Sequence, residues 1–311
     1  MTTFRDDTSR ARRAGLFSSV RDTAQGPGLI AAAITVLLWS SAFAGIRAGL
    51  RSYAPASVAL LRYLTASVVL GAYALLGRIP LPERRDLPGI ALTGFLGLSV
   101  YNVALNAGEV DVPAGVASFI VASSPVYMAI MASAFFGERL TAWGWVGIAV
   151  SLLGVAIIGL VKDREIQLEP RALLVLLAAL AQSLYFVWQK PYLKKYGAFN
   201  YATYTVLAGT FFLLVFTPGL LRDVGGATRQ ATWAVIYMGV FPGAIGYASW
   251  SFVLSRMPAS VAGSFLYLVP AVAAFIAWVW LGEVLTLIAL FGGALVIGGV
   301  LLVNLLGKRQ G

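Results

Sequence analysis

The carboxylates of this chain do not lie within its apolar segments, where they could act as catalytic groups or proton carriers. Beyond the first 27 residues they fall in short polar gaps or at the ends of apolar runs. They are Glu83, Asp86, Glu109, Asp111, Glu138, Asp163, Glu165, Glu169, Asp223 and Glu283. No acid lies near the centre of an apolar run, which argues against an intramembrane aspartic protease and against a buried carboxylate that carries protons.

The chain contains neither cysteine nor histidine. Zinc sites built on these residues, Ser-His-Asp triads and histidine proton relays are therefore excluded, and so is a disulfide framework. We expect no catalytic residue, no metal site and no cofactor.

Arg62 is the one charged residue placed well inside an apolar run. An arginine within a membrane is unfavourable unless it is paired or hydrated. One interpretation is an anchor for a substrate carboxylate, because a guanidinium group binds a carboxylate with two parallel hydrogen bonds. The other is a structural arginine that binds helix-end carbonyls or extends its charged head to the membrane surface. The sequence leaves both open.

Other polar and aromatic side chains lie within apolar runs, where hydrocarbon offers polar groups no partner. Those that could bind a substrate are Trp39, Ser41, Tyr101, Asn102, Asn106, Gln182, Tyr185, Tyr247, Trp250, Ser251 and Tyr267. Hydrogen bonding between helices, packing and lipid contact are the alternative roles. An aromatic-lined pocket would suit aromatic side chains by stacking and an organic cation by cation–π attraction, and the residue types do not separate these ligands.

These side chains are set into ten apolar segments, each of about the 20 residues that a membrane-spanning helix needs. The 311-residue chain is 59% hydrophobic and 12% charged, whereas an ordinary soluble domain is about 45–50% apolar and about 25% charged. This composition excludes a soluble enzyme and a nucleic-acid-binding domain. The predicted spans, numbered one to ten, are 28–48, 54–77, 88–108, 112–136, 142–161, 171–190, 198–217, 230–254, 258–281 and 286–306.

Lysine and arginine are distributed unevenly over the gaps between the spans. With the N-terminus placed in the cytoplasm, fifteen of the 23 fall on the inner side and six on the outer side. The positive-inside rule therefore predicts that both ends are cytoplasmic. Residues 1–27 are interpreted as an Arg-rich cytoplasmic tail and residues 307–311 as a short second tail.

The second half of the chain repeats the first at a shift of 145 residues. The segment VPAGVASFIVASSPVYMAIMASAFFGERLT at 112–141 aligns without gaps with MPASVAGSFLYLVPAVAAFIAWVWLGEVLT at 257–286. The matched pairs include Pro113 with Pro258, Pro125 with Pro270, Gly137 with Gly282, and Glu138 with Glu283. Because each repeat, 28–161 and 162–306, holds five spans, the two enter the membrane in opposite directions, as in secondary transporters.

The repeats also predict local structure. Pro125 and Pro270 lie mid-span and lack an N–H group, so spans four and nine should be kinked there. These kinks are either hinges for alternating access or fixed bends. Glycine-rich faces predict close helix packing in spans five and ten, and Glu138 and Glu283 should stabilise the starts of the helices that follow them.

The segment ALNAGEVDVPAGVASFIVASSPVYMAIMASAFFGERLT at 104–141, with GEVLT again at 282–286, resembles the signature of the EamA family of the drug/metabolite transporter superfamily. In overall similarity the chain also resembles bacterial YddG-type exporters of aromatic amino acids. The resemblance implies an all-α membrane protein of ten helices in two inverted repeats, with a central cavity, that exports amino acids or related metabolites across the bacterial inner membrane. It favours the structural role for Arg62, because an arginine at this place is common among members with unlike substrates. The small multidrug members carry a glutamate where this chain has Leu38–Ser41, without an acid.

These features together predict a secondary transporter that exports aromatic and other neutral amino acids, or related metabolites, by alternating access. Without a carboxylate deep in a span, facilitated diffusion or exchange is the simpler mechanism. A multidrug or organic-cation exporter of the same fold is the alternative, whereas an enzyme or a channel finds no supporting motif. The expected partners are a small amphipathic substrate and the lipid bilayer but no nucleic acid, and a monomer is compatible with this pattern.

Overall fold

The computed structural model describes residues 7–136, 140–159, 161–162, 165–166, 169–256 and 265–306. Glu138 and Pro258 lie outside the described residues, as do the first part of span nine and the C-terminal tail. Within the described part the chain is helical apart from short connections and one antiparallel pair of two-residue strands, Val161–Lys162 and Glu165–Ile166. The predicted all-α fold class is confirmed.

The helices of the first half follow the predicted spans. One helix, Asp7–Gly49, contains span one and begins well before the apolar run, so the predicted polar tail is itself helical from Asp7. Its alanine and arginine residues have high helix propensity. The next elements are Pro55–Leu76, the 3-10 turn Arg84–Asp86, Leu87–Gly94, the π-helix Phe95–Val100, Tyr101–Gly108, Ala114–Val121, Ser124–Phe136 and Ala142–Gly159.

The second half follows the same order. Its elements are Ala172–Trp188, Lys190–Tyr196, Ala198–Leu213, the 3-10 turn Leu214–Phe216, Thr217–Gly226, Arg229–Met238, the π-helix Gly239–Ile245, Gly246–Arg256, the 3-10 turn Leu266–Leu268, Val269–Leu281 and Leu287–Leu306. Within the described residues six helices are long and apolar enough to cross a membrane, and four shorter apolar helices occupy spans five, six, nine and ten. The count of ten crossings stays a prediction.

Spans four and nine are broken at the two prolines that the repeat places in equivalent positions. In span four one helix ends at Val121 and the next begins at Ser124, with Pro125 in its first turn. In span nine the 3-10 turn precedes Val269–Leu281, whose first turn contains Pro270. Proline is tolerated there because the first N–H groups of a helix have no intrahelical partner. The predicted irregularities are present as helix breaks, and their role as hinges stays a prediction.

Spans three and eight share a second irregularity. Phe95–Val100 and Gly239–Ile245 are π-helical at corresponding places of the two repeats. Pro242 lies in the second segment and the first contains no proline, so the shared geometry does not depend on proline. Short π-helical segments within α-helices are frequent at functional sites.

Glycine pairs hold spans five and ten together. A Cβ atom at Gly147 would lie 2.7 Å from the main-chain oxygen of Gly299, and one at Gly154 would lie 2.6 Å from that of Gly292. The reciprocal distances are 2.5 Å from Gly299 to Gly147 and 3.0 Å from Gly292 to Gly154. Such an approach of two backbones needs residues without a Cβ atom. The predicted close packing is confirmed, and it is symmetric between the repeats.

The other spans also pack symmetrically: each of the following contacts between two spans has an equivalent contact when the two repeats are exchanged. Span one packs on spans eight and nine, and span six packs on spans three and four. Span two packs on spans seven and eight, and span seven packs on spans two and three. Span one also touches Ala114–Val121 of span four.

Candidate functional site

A buried polar cluster surrounds Arg62, whose residue is 5% exposed. Its Nη1 atom donates a hydrogen bond of 3.1 Å to Oδ1 of Asn102 in span three. The amide nitrogen of Asn102 donates to the hydroxyl of Tyr63 at 3.0 Å and to the main-chain oxygen of Leu98 at 2.8 Å. Among the described residues the Nε atom of Arg62 has no hydrogen-bond partner. Arg62 therefore retains a donor, inside the bundle, that a substrate oxygen could use.

Gln182 links this region to the break in span four. The hydroxyl of Ser124 donates to Oε1 of Gln182 at 3.1 Å, and Tyr101 of span three also hydrogen-bonds Gln182. The hydroxyl of Ser183 donates to the main-chain oxygen of Ser124 at 3.0 Å. Spans three, four and six are thus joined by polar contacts next to Pro125.

An aromatic wall formed by spans one and eight lies beside the cluster. We give this name to Trp39, Tyr247 and Trp250. The Trp39 ring lies edge-on to Tyr247 at 5.4 Å and tilted against Trp250 at 5.6 Å. Tyr247 interacts electrostatically with Arg62 and Tyr101, so the wall and the arginine share one region. A Cβ atom at residue 246 would lie 2.8 Å from Nε1 of Trp39, which explains glycine at that position.

Two further candidates lie at the edges of this region. Tyr185 is buried, hydrogen-bonds Thr205, and packs so closely on Gly97 that a Cβ atom there would lie 2.4 Å from its ring. Ser41 shares a 2.8 Å hydrogen bond with the hydroxyl of Tyr237. Both contacts join helices, which is the alternative role that the sequence left open.

The structure places other candidates elsewhere. Asn106 is fully buried and its amide donates to the main-chain oxygen of Pro55 at 3.0 Å, which joins spans three and two. Tyr267 packs with Val126 and Val300, in a separate hydrophobic cluster. The side chain of Ser251 lies outside the described part. Substrate contact by these three residues stays a prediction.

Sequence reasoning missed Tyr63, which completes the polar cluster. Its residue is fully buried, its hydroxyl accepts the Asn102 hydrogen bond, and its ring lies 5.4 Å from the guanidinium carbon of Arg62. A tyrosine in an apolar helix is ordinary in a membrane protein, so its type alone gave no indication. Its position directly after Arg62 was the available clue.

One end of the bundle, here called the Arg47 end, carries an ion pair between span one and the turn after span nine. The Nε atom of Arg47 lies 3.0 Å from Oε1 of Glu283, and Nη1 of Arg47 donates to the main-chain oxygens of Glu109 and Val110 at 2.6 and 2.8 Å. Oε2 of Glu283 accepts a 2.9 Å hydrogen bond from the N–H group of Ala114. These contacts, the Arg47 cluster, tie spans one and nine to the start of span four.

Glu283 was expected to stabilise the helix that follows it, and the structure shows that it binds a different helix. Its carboxylate caps the first residue of span four rather than the helix that follows it. Gly282, whose φ of 73° suits glycine, ends span nine and turns the chain there. The hydroxyl of Thr286 caps the next helix, accepting from the N–H of Ala289 at 3.1 Å.

The opposite end, here called the Lys195 end, carries partly exposed ion pairs. The Nζ atom of Lys195 lies 2.7 Å from Oε1 of Glu83 and 2.5 Å from Oδ2 of Asp86. Hydrogen bonds from Lys195 hold the pKa of both carboxyl groups below the usual values. These contacts join the connection between spans two and three to the connection between spans six and seven. No group of acids that could hold a metal ion is found within the described residues.

Comparison with known proteins agrees with this architecture. The sequence model of the EamA-like transporter family matches the chain twice, at residues 26–160 and 170–305. Over 280 residues the chain is 43% identical to the protein named "Probable terminal-alkyne amino-acid exporter" of Streptantibioticus cattleyicolor, which covers 89% of this chain and 94% of that relative. Over 272 residues it is 41% identical to "Uncharacterized transporter YdfC" of Bacillus subtilis, which covers 88% and 89%.

A solved crystal structure also resembles the chain. The two superpose with a TM-score of 0.61 at 18% sequence identity, over 92% of this chain and 97% of that one. At this identity the likeness shows the fold alone.

Proposed function

The chain belongs to the EamA-like transporter family, and from this premise we propose that it exports neutral and aromatic amino acids, or related amphipathic metabolites, by alternating access. Membrane transport itself follows from the family. The substrate class is the proposed part, and the observation that carries it is the unpartnered Nε donor of buried Arg62 beside the aromatic wall.

The charge of Arg62 supports a substrate with a carboxylate. A guanidinium group in a low-dielectric region attracts an anion strongly and repels a cation. The aromatic wall alone would suit an aromatic side chain and an organic cation equally well. A zwitterion with an apolar side chain satisfies both features, because its carboxylate can reach Arg62 while its side chain stacks on Trp39 or Tyr247.

The relative from Streptantibioticus cattleyicolor supports export of an amino acid, since its name describes a probable exporter of a terminal-alkyne amino acid. Within the described residues Glu109 is the most deeply buried acid, and it lies past the end of span three rather than within a span. Because a carboxylate deep in a span is the usual proton carrier, its absence from the described spans leads us to propose facilitated diffusion or exchange of the substrate. Placement in the bacterial inner membrane with both termini cytoplasmic is part of the proposal.

Counterflow in proteoliposomes tests the substrate class. Vesicles are loaded with unlabelled phenylalanine, tryptophan, lysine or methyl viologen, no proton gradient is imposed, and entry of labelled phenylalanine is followed. We expect stimulation by phenylalanine and tryptophan only. Stimulation by methyl viologen alone would instead identify an organic-cation exporter, and no stimulation from folded protein would contradict the amino-acid proposal.

Variants of Arg62 test its role in the same assay. Arg62→Lys keeps the charge but loses the forked donor geometry, and Arg62→Gln loses both. We expect at least about a tenfold loss of counterflow for Arg62→Gln and a smaller loss for Arg62→Lys. Arg222→Gln, an exposed arginine outside the candidate site, serves as the control. Equal counterflow in all of them would assign Arg62 the structural role.

A further inference from the structure

Glu109 is a buried carboxylate for which the transport proposal has no use. It directly follows Tyr101–Gly108 at the Arg47 end, and its residue is fully buried. Neither carboxylate oxygen has a hydrogen-bond partner among the described residues. The sequence placed this acid at the end of a span, but it gave no indication that the side chain is buried.

The nearest cation is already engaged. Arg47 binds the main-chain oxygen of Glu109, but its Nε atom is paired with Glu283. An ionised carboxylate without hydrogen bonds is strongly unfavourable in a low-dielectric interior, and a buried acid commonly avoids this cost by keeping its proton. Burial raises the pKa of Glu109 well above the usual value, although the charge of Arg47 opposes the shift.

The other charged and titratable groups around Glu109 come from several elements. Glu283, from the turn after span nine, disfavours ionisation of Glu109, whereas Arg62 of span two favours it. Tyr101 of its own span also interacts with it electrostatically. The pair Asp111–Arg171, at the start of span six, is close by in sequence but is partly exposed and satisfied at 2.9 Å.

We propose that Glu109 is a proton-binding site that controls the opening of the Arg47 end. With its proton bound, the neutral carboxyl group stays buried and Arg47 remains on Glu283, so spans one, four and nine are held together. When the proton leaves to solvent, the new negative charge needs water or a guanidinium group. Arg47 is the guanidinium nearest at hand, and its transfer from Glu283 to the Glu109 carboxylate removes the contact that closes this end.

The direction of the pH effect follows from linkage. Because the pKa of Glu109 is higher in the closed state than in a hydrated open state, bound protons stabilise the closed state. This stabilisation is complete below the usual carboxyl pKa and is lost as pH rises through the raised pKa of the closed state. Opening at the Arg47 end is therefore expected to increase with pH.

Two spin labels at the Arg47 end test the proposal without any substrate. The chain has no cysteine of its own, so Ala54→Cys and Val284→Cys provide two unique, exposed attachment points. Distances between the labels are measured in lipid nanodiscs at about pH 5 and about pH 9, which lie on both sides of a raised carboxyl pKa. We expect a short distance at the lower pH and a growing population of longer distances at the higher pH. Between the two pH values, the ratio of the long-distance to the short-distance population should change about tenfold for each pKa unit that separates Glu109 in the closed and open states.

Matched variants assign the response to Glu109. Glu109→Gln mimics the protonated acid and should keep the short distance at both pH values. Asp111→Asn, an exposed acid two residues away, should respond like the parent. A parent without a pH response, or an equal response in Glu109→Gln, would overturn the proposal. If Glu109→Gln fails to fold, Glu109→Asp decides, since a shifted midpoint supports a proton site here and an unchanged one contradicts it. Because no substrate is present, the outcome is independent of the counterflow result.

Discussion

The Arg47 end and the Lys195 end are held by different interactions, although the repeat relates the halves that form them. At the Arg47 end a half-buried arginine joins a carboxylate and two main-chain oxygens on three spans. At the Lys195 end the side chains are exposed to a similar or greater degree, and the ion pairs join only the connections between spans. Partly exposed pairs contribute little to stability by themselves, whereas the Arg47 contacts also satisfy main-chain oxygens.

The sequence of the repeats shows how this difference arose. The shift of 145 residues places Glu138 opposite Glu283, but it places Tyr192 opposite Arg47. The Tyr192 ring stacks on Tyr201 at 5.7 Å, so it faces span seven, and a tyrosine has no guanidinium group with which to repeat the contacts of Arg47. The repeats retain a common packing frame and have diverged in the chemistry of their ends. A transporter can in this way bias which end is closed without changing its frame.

The largest loss of stability is expected in the glycine contacts between spans five and ten, where the two repeats are alike. Gly147→Leu and Gly292→Leu each place a side chain against the facing helix, at equivalent positions of the frame. Each should destabilise the protein by more than about 3 kcal/mol, because neither backbone can retreat without moving a whole span. Apparent unfolding temperatures of detergent-solubilised variants measure the loss. Gly298→Ala, with open space around it, is the control, and a large loss in only one of the two leucine variants would argue against a symmetric frame.

A smaller effect is expected at the Arg47 end. Arg47→Gln leaves Glu283 without its partner in a half-buried place, which should cost about 1–3 kcal/mol. The same change should shift the Ala54–Val284 label pair to longer distances at every pH. Unfolding temperature and label distance are both measured, with the exposed residue change Arg51→Gln as the control. Unchanged values for Arg47→Gln would mean that packing alone closes this end.

The smallest effect is expected at the Lys195 end. Lys195→Gln removes partly exposed contacts that join only connections between spans, so it should change the unfolding temperature little, because solvent screens these charges. Since the pKa values of Glu83 and Asp86 are lowered, their contribution persists above the usual carboxyl pKa and disappears only as pH falls through the lowered values. Unfolding of the variant and the parent at neutral and mildly acidic pH checks this. A marked loss in either condition would show that the ion pairs at the two ends contribute alike, although they join different elements.

Much of the fold could be predicted because it depends on local properties. Apolar length located the helices, and the matched prolines located the breaks at Pro125 and Pro270. The glycine faces predicted the packing of spans five and ten. Thr141 and Thr286, which the repeat pairs, both accept hydrogen bonds from N–H groups three residues later. The first helix extends to Asp7, well before its apolar span, because helix propensity does not require apolar residues.

The candidate site was less predictable because its contacts cross between spans. The sequence singled out Arg62 and Asn102 separately, and the structure pairs them. Asn102 and Asn106 were both candidates for substrate binding, yet they bind different partners in span two. One turn of helix separates these residues, which is enough for each to meet a different part of span two.

The sequence by itself determined which segments are apolar, where proline and glycine interrupt or narrow a helix, and that the chain is a duplicated transporter. These properties follow from side-chain chemistry and spacing along one helix. Only the tertiary structure decided that Glu283 reaches Ala114, that Arg62 keeps a donor without a partner, and that Glu109 is buried. Such properties depend on which side chains of distant spans share a low-dielectric space, and spacing along the chain does not contain that information.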